Sequence, residues 1–257
     1  MKQKSRLDKL LVARGLAPSR ERAQAYIIAG NVLVDEQKIE KPGCMLVNDV
    51  NIRLKGMDHP YVSRGGLKLE KALADFNIDV RNQIAMDVGS STGGFTDCLL
   101  QHGATYIFAI DVGYGQLDWK LVTDERVKNM EKTNFRYLTL ADIGSFVDII
   151  VIDVSFISLT KILQNCLNFL KSGGNLIALI KPQFEAGKEN IRKGGIVSDP
   201  RIRSWVIDSI KQHAESLGYV VRQIKPSPIQ GKKSGNQEYL IHLLKPGPNH
   251  IDAVDLV

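Results

Sequence analysis

The sequence predicts an α/β protein: one mostly parallel sheet, covered by helices and closed by an antiparallel terminal hairpin, behind a small α+β N-terminal module. Three features predict it. From residue 84 to residue 225, apolar strand-like runs alternate with helix-periodic runs, the pattern of successive βαβ units. A glycine-rich stretch, "DVGSSTGG", occupies the first strand-to-helix turn of that series. Ahead of it, short helical and strand-like stretches carry concentrated positive charge. A chain of 257 residues is long enough for one large core and a companion module.

The first element pattern lies in "SRLDKLLVARG", where Leu7, Leu10 and Leu11 have helical spacing, Ser5 is available as a cap and Gly15 ends the run. "SRERAQAYIIAG" repeats the arrangement, with Ser19 as cap, Ala23, Tyr26 and Ile27 as the buried stripe, and Gly30 at the end. Strand-like "NVLVD", "CMLV" and "NIRL" follow, separated by turn residues. The expected boundaries are 1–55 for this module, 56–62 for a linker interrupted by Gly56 and Pro60, 63–246 for the second domain and 247–257 for a tail. His59, in the linker, has no partner pattern and receives no catalytic role.

Charge is unevenly spread. Lys2, Lys4, Arg6, Lys9, Arg14, Arg20 and Arg22 face only Asp8 and Glu21 within residues 1 to 34, a net +5 of the chain's formal +6. Such a field can attract a polyanion, and charge alone leaves acidic membranes and acidic protein partners open. Cys44, Cys98 and Cys166 show neither metal-ligand nor disulfide spacing, so no metal is expected and the thiols suit a reducing compartment. "MKQKSRLDKL" lacks a secretory core, and no later run has the apolar length of a membrane span. The expectation is a soluble cytoplasmic protein with no membrane partner.

The second domain opens with "YVSRGGLKLEKAL", a helix that would bury Leu67, Leu69, Leu73 and Ala74 and hold Arg64, Lys68 and Lys71 on its surface. Ile84 to Val88 reads as a buried parallel strand, and Phe95, Leu99 and Leu100 as the buried side of the next helix. Between them, Gly89, Gly93 and Gly94 permit a tight turn and close approach of backbone to ligand. The spacing matches neither the phosphate loop nor the dinucleotide fingerprint. A second strand, "TYIFAIDV", brings up Asp111, 24 residues after Asp87, where a carboxylate can accept hydrogen bonds from ribose hydroxyls. "GYGQLD" adds a flexible loop; glycine at ordinary helix caps is the alternative reading of these stretches, which two strand-terminal acids beside glycine-containing loops disfavour. A short strand at "RVKNM", a strong one in "VDIIVIDVSF", a helix over "LTKILQNCLNFL" and a strand at "NLIALI" continue the alternation. "RIRSWVIDSIKQHAESLG" is helical, and "YVVRQIK" with "QEYLIHLL" closes the hairpin. Ligand loops are expected at the carboxyl ends of the parallel strands, beside a change in strand order.

The stretch "RLDKLLVARGLAPSRERAQAYIIAGNVLVDEQKIEKPG" resembles an S4 RNA-binding domain over residues 5 to 54. It departs from that pattern at "VDEQ", where an asparagine-glycine turn is usual. The resemblance implies a basic helical surface against structured RNA, with Arg6, Lys9, Arg20 and Arg22 as contacts.

Together with "YVSRGGLKL", "DVGSSTGGFTD", "DVSFISL", "IKPQFE" and "GNQEYLI", the chain resembles the hemolysin-A family of ribosomal RNA 2'-O-methyltransferases across residues 5 to 244. The resemblance implies a Rossmann-like, S-adenosylmethionine-dependent methyltransferase domain of the FtsJ-like type. It implies methyl transfer to a cytidine ribose hydroxyl, with ribosomal RNA or ribosomal subunits as partner. It further implies that Asp87, Gly89, Ser90, Ser91, Thr92, Gly93, Gly94 and Phe95 surround the methionine portion of the cofactor, that Asp111 meets its ribose, that Val112 also binds the cofactor, and that Asn134 lies at the adenine edge. Lys68, Asp153, Lys181 and Glu238 correspond to the family's catalytic tetrad. Lys181 then either accepts the hydroxyl proton or eases its loss by charge.

Arg64, Lys188, Arg192 and Lys193 are further RNA contacts on this reading, although "PQFEAGKENIRKGGIVSDP" also reads as a mobile crossing loop. Phe156 and Phe184 either support a displaced base or cap the core. Two other functions remain open: a noncatalytic RNA-binding or ribosome-assembly protein with a retained ligand fold, and a membrane-active hemolysin, which the absence of signal and span disfavours.

Overall fold

The structure, a computed structural model, describes residues 4–54, 59–230 and 235–247. Residues 56–58 of the expected linker and 248–257 of the expected tail thus lie outside the described residues. The chain forms two compact units, Met1–Pro60 and Tyr61–Val257.

In the first unit, β1 (Lys4–Arg6) precedes α1 (Leu7–Ala13) and α2 (Arg20–Ile28); β2 (Val32–Val34), β3 (Gln37–Lys38), β4 (Met45–Val47) and β5 (Ile52–Leu54) follow. β1 pairs antiparallel with β4, and β3, β2 and β5 form a second antiparallel sheet. Leu7, Leu11, Ala23, Ile27 and Val32 are fully buried at the centre of this core.

Ser5 does not cap α1 as expected. It pairs with Leu46 in β1, and the helix starts at Leu7 behind an uncapped Arg6. Ser19 does cap α2, accepting from the Arg22 amide at 3.2 Å. The short β3 is unexpected, because "DEQK" lacks glycine. Asp35 and Glu36 make the turn with φ of +47° and +64°, the backbone that a two-residue hairpin demands. Arg53 grips the Glu36 carboxylate at 2.7 and 2.6 Å, and the Asp35 amide donates to Asn51 O at 2.9 Å, so side-chain and ladder bonds hold a turn that glycine would make without strain.

The second unit runs α3 (Gly65–Phe76), β6 (Ile84–Val88), α4 (Gly94–Gln101), β7 (Tyr106–Ile110), α5 (Trp119–Val122), β8 (Val127–Met130), α6 (Leu140–Ile143), β9 (Val147–Ile152) and α7 (Leu163–Cys166). It ends with β10 (Leu170–Ile180), α8 (Pro182–Glu185), α9 (Pro200–Ser216), β11 (Val220–Pro226) and β12 (Tyr239–Leu244). The sheet order is β11-β12-β10-β9-β6-β7-β8. The five strands from β10 to β8 are parallel, and β12 and β11 add the antiparallel edge. Alternate residues of β6 and β9 enter cores on opposite faces, Met86 and Ile150 on one side, Ala85 and Ile149 on the other, all fully buried. Helices on both faces require such continuously apolar strands. Strand order reverses between β6 and β9, so their carboxyl ends open a crevice there.

Two local expectations fail. Ala74 is exposed, and Ala72 takes its place beside Leu69, Leu73 and Phe76, the i, i+3, i+4, i+7 positions of one helix face. The helix expected over 159–170 is a 3₁₀ turn, Leu159–Lys161, followed by the single turn α7. The Val147 amide takes Phe169 O at 2.8 Å and Leu170 pairs with Val147, so the chain enters the ladder before the expected strand. Leu159, Leu163, Cys166 and Phe169 are still buried, which is why their spacing mimics a helix.

Candidate active site

The sheet register brings four distant side chains together. Ile180 lies opposite Tyr239 and Ala178 opposite Ile152, so Lys181, Glu238 and Asp153, each adjoining one of those strands, sit on neighbouring strand ends. Lys68 arrives from α3. Lys68 Nζ donates to Glu238 Oε2 at 2.7 Å and lies 3.8 Å from Asp153 Oδ2. Lys181 Nζ lies 2.5 Å from Asp153 Oδ1 and donates to Ser155 Oγ at 3.0 Å. Two ammonium groups thus alternate with two carboxylates in one chain, largely withdrawn from water, with the Glu238 side chain only 3% exposed. Such charges persist in a partly buried place only when each is paired. Gln183, which sequence reasoning missed, donates to Glu238 Oε1 at 3.5 Å.

Asp153 also lines a cleft of about 380 Å³ at the switch point. Gly89, Ser91, Asp111, Val112 and Asn134 line it. Gly89 has φ +85°, and a Cβ there would stand 2.7 Å from Asp153 O, where β6 and β9 run side by side. The Asp111 carboxylate accepts from the Ser91 amide at 2.8 Å and the Gly113 amide at 2.7 Å, joining the two loops. Asn134 Oδ1 accepts from the Arg136 amide at 3.2 Å and caps the 3₁₀ turn Phe135–Tyr137. Ile110, Phe135, Ile157 and Ile162 give the cleft an apolar lining. An apolar slot for a flat base, a carboxylate for a ribose diol and a glycine whose missing side chain leaves room together fit an adenosine-bearing cofactor. Gln116, Thr133, Arg136, Ile157 and Ile162 had no signal of their own in the sequence.

The rest of the expected loop set is placed differently. Asp87 is fully buried behind the loop. Its Oδ2 accepts from Thr96 Oγ1 at 2.6 Å, and its Oδ1 has no hydrogen-bond partner among the described residues. Burial, reinforced by the Asp153 charge, pushes this carboxyl up to about 7. Ser90, Thr92, Gly93, Gly94 and Phe95 do not line the cleft. A Cβ on Gly93 would strike Leu121 and Leu117, and one on Gly94 would strike Ser63 Oγ and the Gly66 amide. Those two glycines therefore serve the packing of α3 and α5 against the start of α4, and Phe95 is a core residue.

Among the basic residues, Arg6 and Arg20 both grip the buried Asp8, Arg6 by Nε at 3.0 Å and Nη2 at 2.9 Å, and Arg20 by Nε at 2.9 Å. Gln24 Nε2 adds a bond at 3.0 Å. The Arg6 hydrogen bonds above all hold the Asp8 carboxyl well below the usual carboxylate range despite its burial. Lys9 is exposed, and Arg22 lies over the Tyr26 ring, 5.4 Å from its centroid. In the second unit Arg64, Lys188, Arg192 and Lys193 are all exposed. The loop that carries Lys188, Arg192 and Lys193 is less irregular than its composition suggested: Arg192 and Ile196 form a β-bridge, and the buried Asn236 ties Val197 and Gly195 down at 2.9 and 2.7 Å. Phe156, with φ +67°, is 89% exposed, its ring 5.0 Å from that of Phe184. Among the described residues no cluster of side chains could hold a metal, and no helix is long and apolar enough to cross a membrane.

Residues 61–245 match the FtsJ-like methyltransferase family and residues 5–58 the S4 domain. YqxC of Bacillus subtilis, which carries an rRNA methyltransferase name, is 50% identical over 246 residues, covering 95% of this chain and 87% of that protein. The 16S/23S rRNA (cytidine-2'-O)-methyltransferase TlyA of Mycobacterium tuberculosis is 41% identical over 244 residues, covering 95% and 91%. A Streptococcus thermophilus protein solved under the name hemolysin superposes with a TM-score of 0.74 at 45% identity, covering 96% of this chain and 90% of that one.

Proposed function

The chain belongs to the FtsJ-like methyltransferase family and carries an S4 domain, and from that premise we propose that it methylates the 2'-hydroxyl of cytidine ribose in ribosomal RNA, with S-adenosylmethionine as methyl donor. The observation that carries this reading is the dual position of Asp153, which lines the cofactor-sized cleft and belongs to the Lys181–Asp153–Lys68–Glu238 array. A hydroxyl held beside that array would stand at the edge of the cleft that would hold the cofactor.

The cofactor supplies an electrophilic methyl on a positively charged sulfur. Asp111 would take the cofactor ribose and Asn134 the adenine edge, while Gly89 and Ser91 line the cleft from the loop after β6. Transfer needs the ribose oxygen aligned with that methyl and free to lose its proton. Lys181, aimed by Asp153 and Ser155, would accept the proton as a neutral amine or ease its loss by charge as the ammonium paired with Asp153. Lys68 bridges Asp153 and Glu238, offsetting the repulsion between two carboxylates that would otherwise share a confined space. The exposed Phe156 ring suits stacking against a displaced base.

In this reading residues 1–55 supply affinity for structured RNA and residues 63–246 the chemistry, with Arg64, Lys188, Arg192 and Lys193 meeting phosphates. A ribosomal substrate puts the reaction in the cytoplasm. The test is single-turnover transfer of a labelled methyl group to ribosomal subunits and to naked RNA, followed by mapping of ribose methylation. Label on cytidine 2'-oxygens supports the proposal. No transfer to any ribosomal substrate, with RNA still bound, favours a noncatalytic RNA-binding protein.

A further inference from the structure

Lys181 is the residue before α8, a helix of only four residues. So short a helix has no stability of its own, because nucleation costs more than a few hydrogen bonds return. The direction in which Lys181 leaves the sheet is therefore held by the β10 ladder before it and by what anchors α8 after it, and Glu185 is the anchor at the far end of that helix.

Glu185 Oε2 accepts from Ser158 Oγ at 2.6 Å, and Oε1 accepts from the Leu159 amide at 2.9 Å. Ser158 and Leu159 begin the 3₁₀ turn that follows the end of β9, a few residues beyond Asp153 and Ser155. The two chain segments are thus cross-linked three times: Lys181 to Asp153 and Ser155, Phe184 against Phe156, and Glu185 to Ser158 and Leu159. The last link is anchored in turn, since Ser158 Oγ lies 2.8 Å from Thr160 Oγ1 and His213 Nε2 of α9 donates to Thr160 O at 3.1 Å. Between the links Phe156 holds a left-handed backbone, which persists only where its surroundings over-determine it.

We propose that Glu185 is a positioning residue for methyl transfer: it clamps the turn after β9 to the helix after β10 and so fixes Lys181 against Asp153 and Ser155. The inference rests on the catalytic role proposed for Lys181, although the clamp itself is read from geometry alone. Glu185 touches no reacting atom. Its carboxylate supplies two acceptors at the spacing of a backbone amide and a neighbouring hydroxyl. A glutamine can reproduce this, its oxygen taking the Leu159 amide and its nitrogen donating to Ser158 Oγ, whose proton then turns to Thr160. Alanine cannot.

The test compares the parent, Glu185→Gln and Glu185→Ala in two measurements. In single-turnover transfer at saturating cofactor and RNA, E185A is expected to be slower by about 10-fold or more, because a misaimed group loses much of its effect on the reacting centre, whereas E185Q stays within about threefold of the parent. The second measurement needs no methyl transfer: labelling of Lys181 by an amine-reactive reagent, followed by peptide mass spectrometry. The 10% exposed Lys181 side chain is expected to react severalfold faster in E185A and at the parental rate in E185Q. A residue that served stability alone would lower the melting temperature and leave both readouts of the folded protein unchanged. Parental transfer by E185A, or equal labelling in all three proteins, overturns the proposal. A parent that transfers no methyl counts against the proposed function, and the labelling arm still decides the clamp.

Discussion

Lys68 and Glu238 are 170 residues apart in the chain and 2.7 Å apart in the structure. The lysine stands on the first helix of the large unit and the glutamate beside its last strand, so their pairing closes the domain across the carboxyl edge of the sheet. Lys68 is accordingly 12% exposed at its side chain, where an isolated helix would present it to solvent.

Shortening the other lysine tests chemistry apart from folding. Lys181→Ala removes a strand-end side chain and no ladder hydrogen bond, so the sheet is expected to persist. Single-turnover transfer is expected to fall on the order of 100-fold or more if proton transfer is assisted there. Cofactor and RNA affinities, measured by calorimetry and filter binding, should change far less. Equal rates at saturation would remove Lys181 from the mechanism.

The cleft geometry is tested at Gly89. Gly89→Val puts a side chain against Asp153 O on a backbone with φ +85°, a strain on the order of 1–3 kcal/mol before any steric clash is counted. The variant is expected to melt earlier and to bind S-adenosylmethionine at least about 10-fold more weakly. Gly115→Ala, with φ +64° and open space around it, is the control: backbone strain without a clash. Unchanged cofactor affinity in folded Gly89→Val would show that the loop does not approach the ligand.

The small unit requires separating RNA binding from stability. Arg20→Ala takes a partner from the buried Asp8, so any loss of RNA binding would be mixed with unfolding. Lys9→Ala with Arg22→Ala is the cleaner pair, expected to reduce the salt dependence of RNA binding by about one unit for each phosphate no longer neutralised. Asp8→Asn is expected to cost this unit about 2 kcal/mol, since charge-assisted bonds to Arg6 and Arg20 are lost. The Asp8 carboxyl is depressed in the fold, so its stabilisation is present at neutral pH and is lost as pH falls below the ordinary carboxylate range of about 4. Hydrogen exchange of residues 4–54 against pH should show that acid loss in the parent and a flatter profile in Asp8→Asn.

Asp87 has the opposite sign. Its carboxyl is raised to about 7 in the fold, so between the unfolded value of about 4 and 7 the folded protein keeps a proton that the unfolded chain releases. This contribution makes the cofactor-free protein less stable as pH rises across that window and is level above it. Asp87→Asn does not titrate, so its urea midpoint should lack that decline relative to the parent. Parallel profiles from pH 4 to 7 would show that Asp87 is ionised throughout.

Much of this was legible in the chain. The alternation of buried strands with amphipathic helices implied a parallel sheet, because only strands covered on both faces are apolar throughout, as "VDIIVID" is. The order of short motifs pointed to the family and to the four ionisable residues. Local signals failed where a distant partner overruled them: Ser5 joined β4 instead of capping α1, and the apparent helix over 159–170 gave way when Leu170 paired with Val147. The Asp35–Glu36 turn was unreadable because Arg53, some seventeen residues on, helps hold a backbone that the local residues disfavour.

Sequence alone determined the two-part organisation, the class of fold and the chemical types at the site, since periodicity and glycine placement are local properties of the chain. Tertiary structure decided which of those residues share a space. Gly89 borders the cleft while Gly93 and Gly94 serve helix packing, although all three stand in one glycine-rich stretch and look alike in sequence. The brace between Glu185 and the turn after β9 likewise exists only because parallel pairing sets β9 and β10 side by side. Strand register converts separations along the chain into distances of a few ångströms, and no local pattern encodes that conversion.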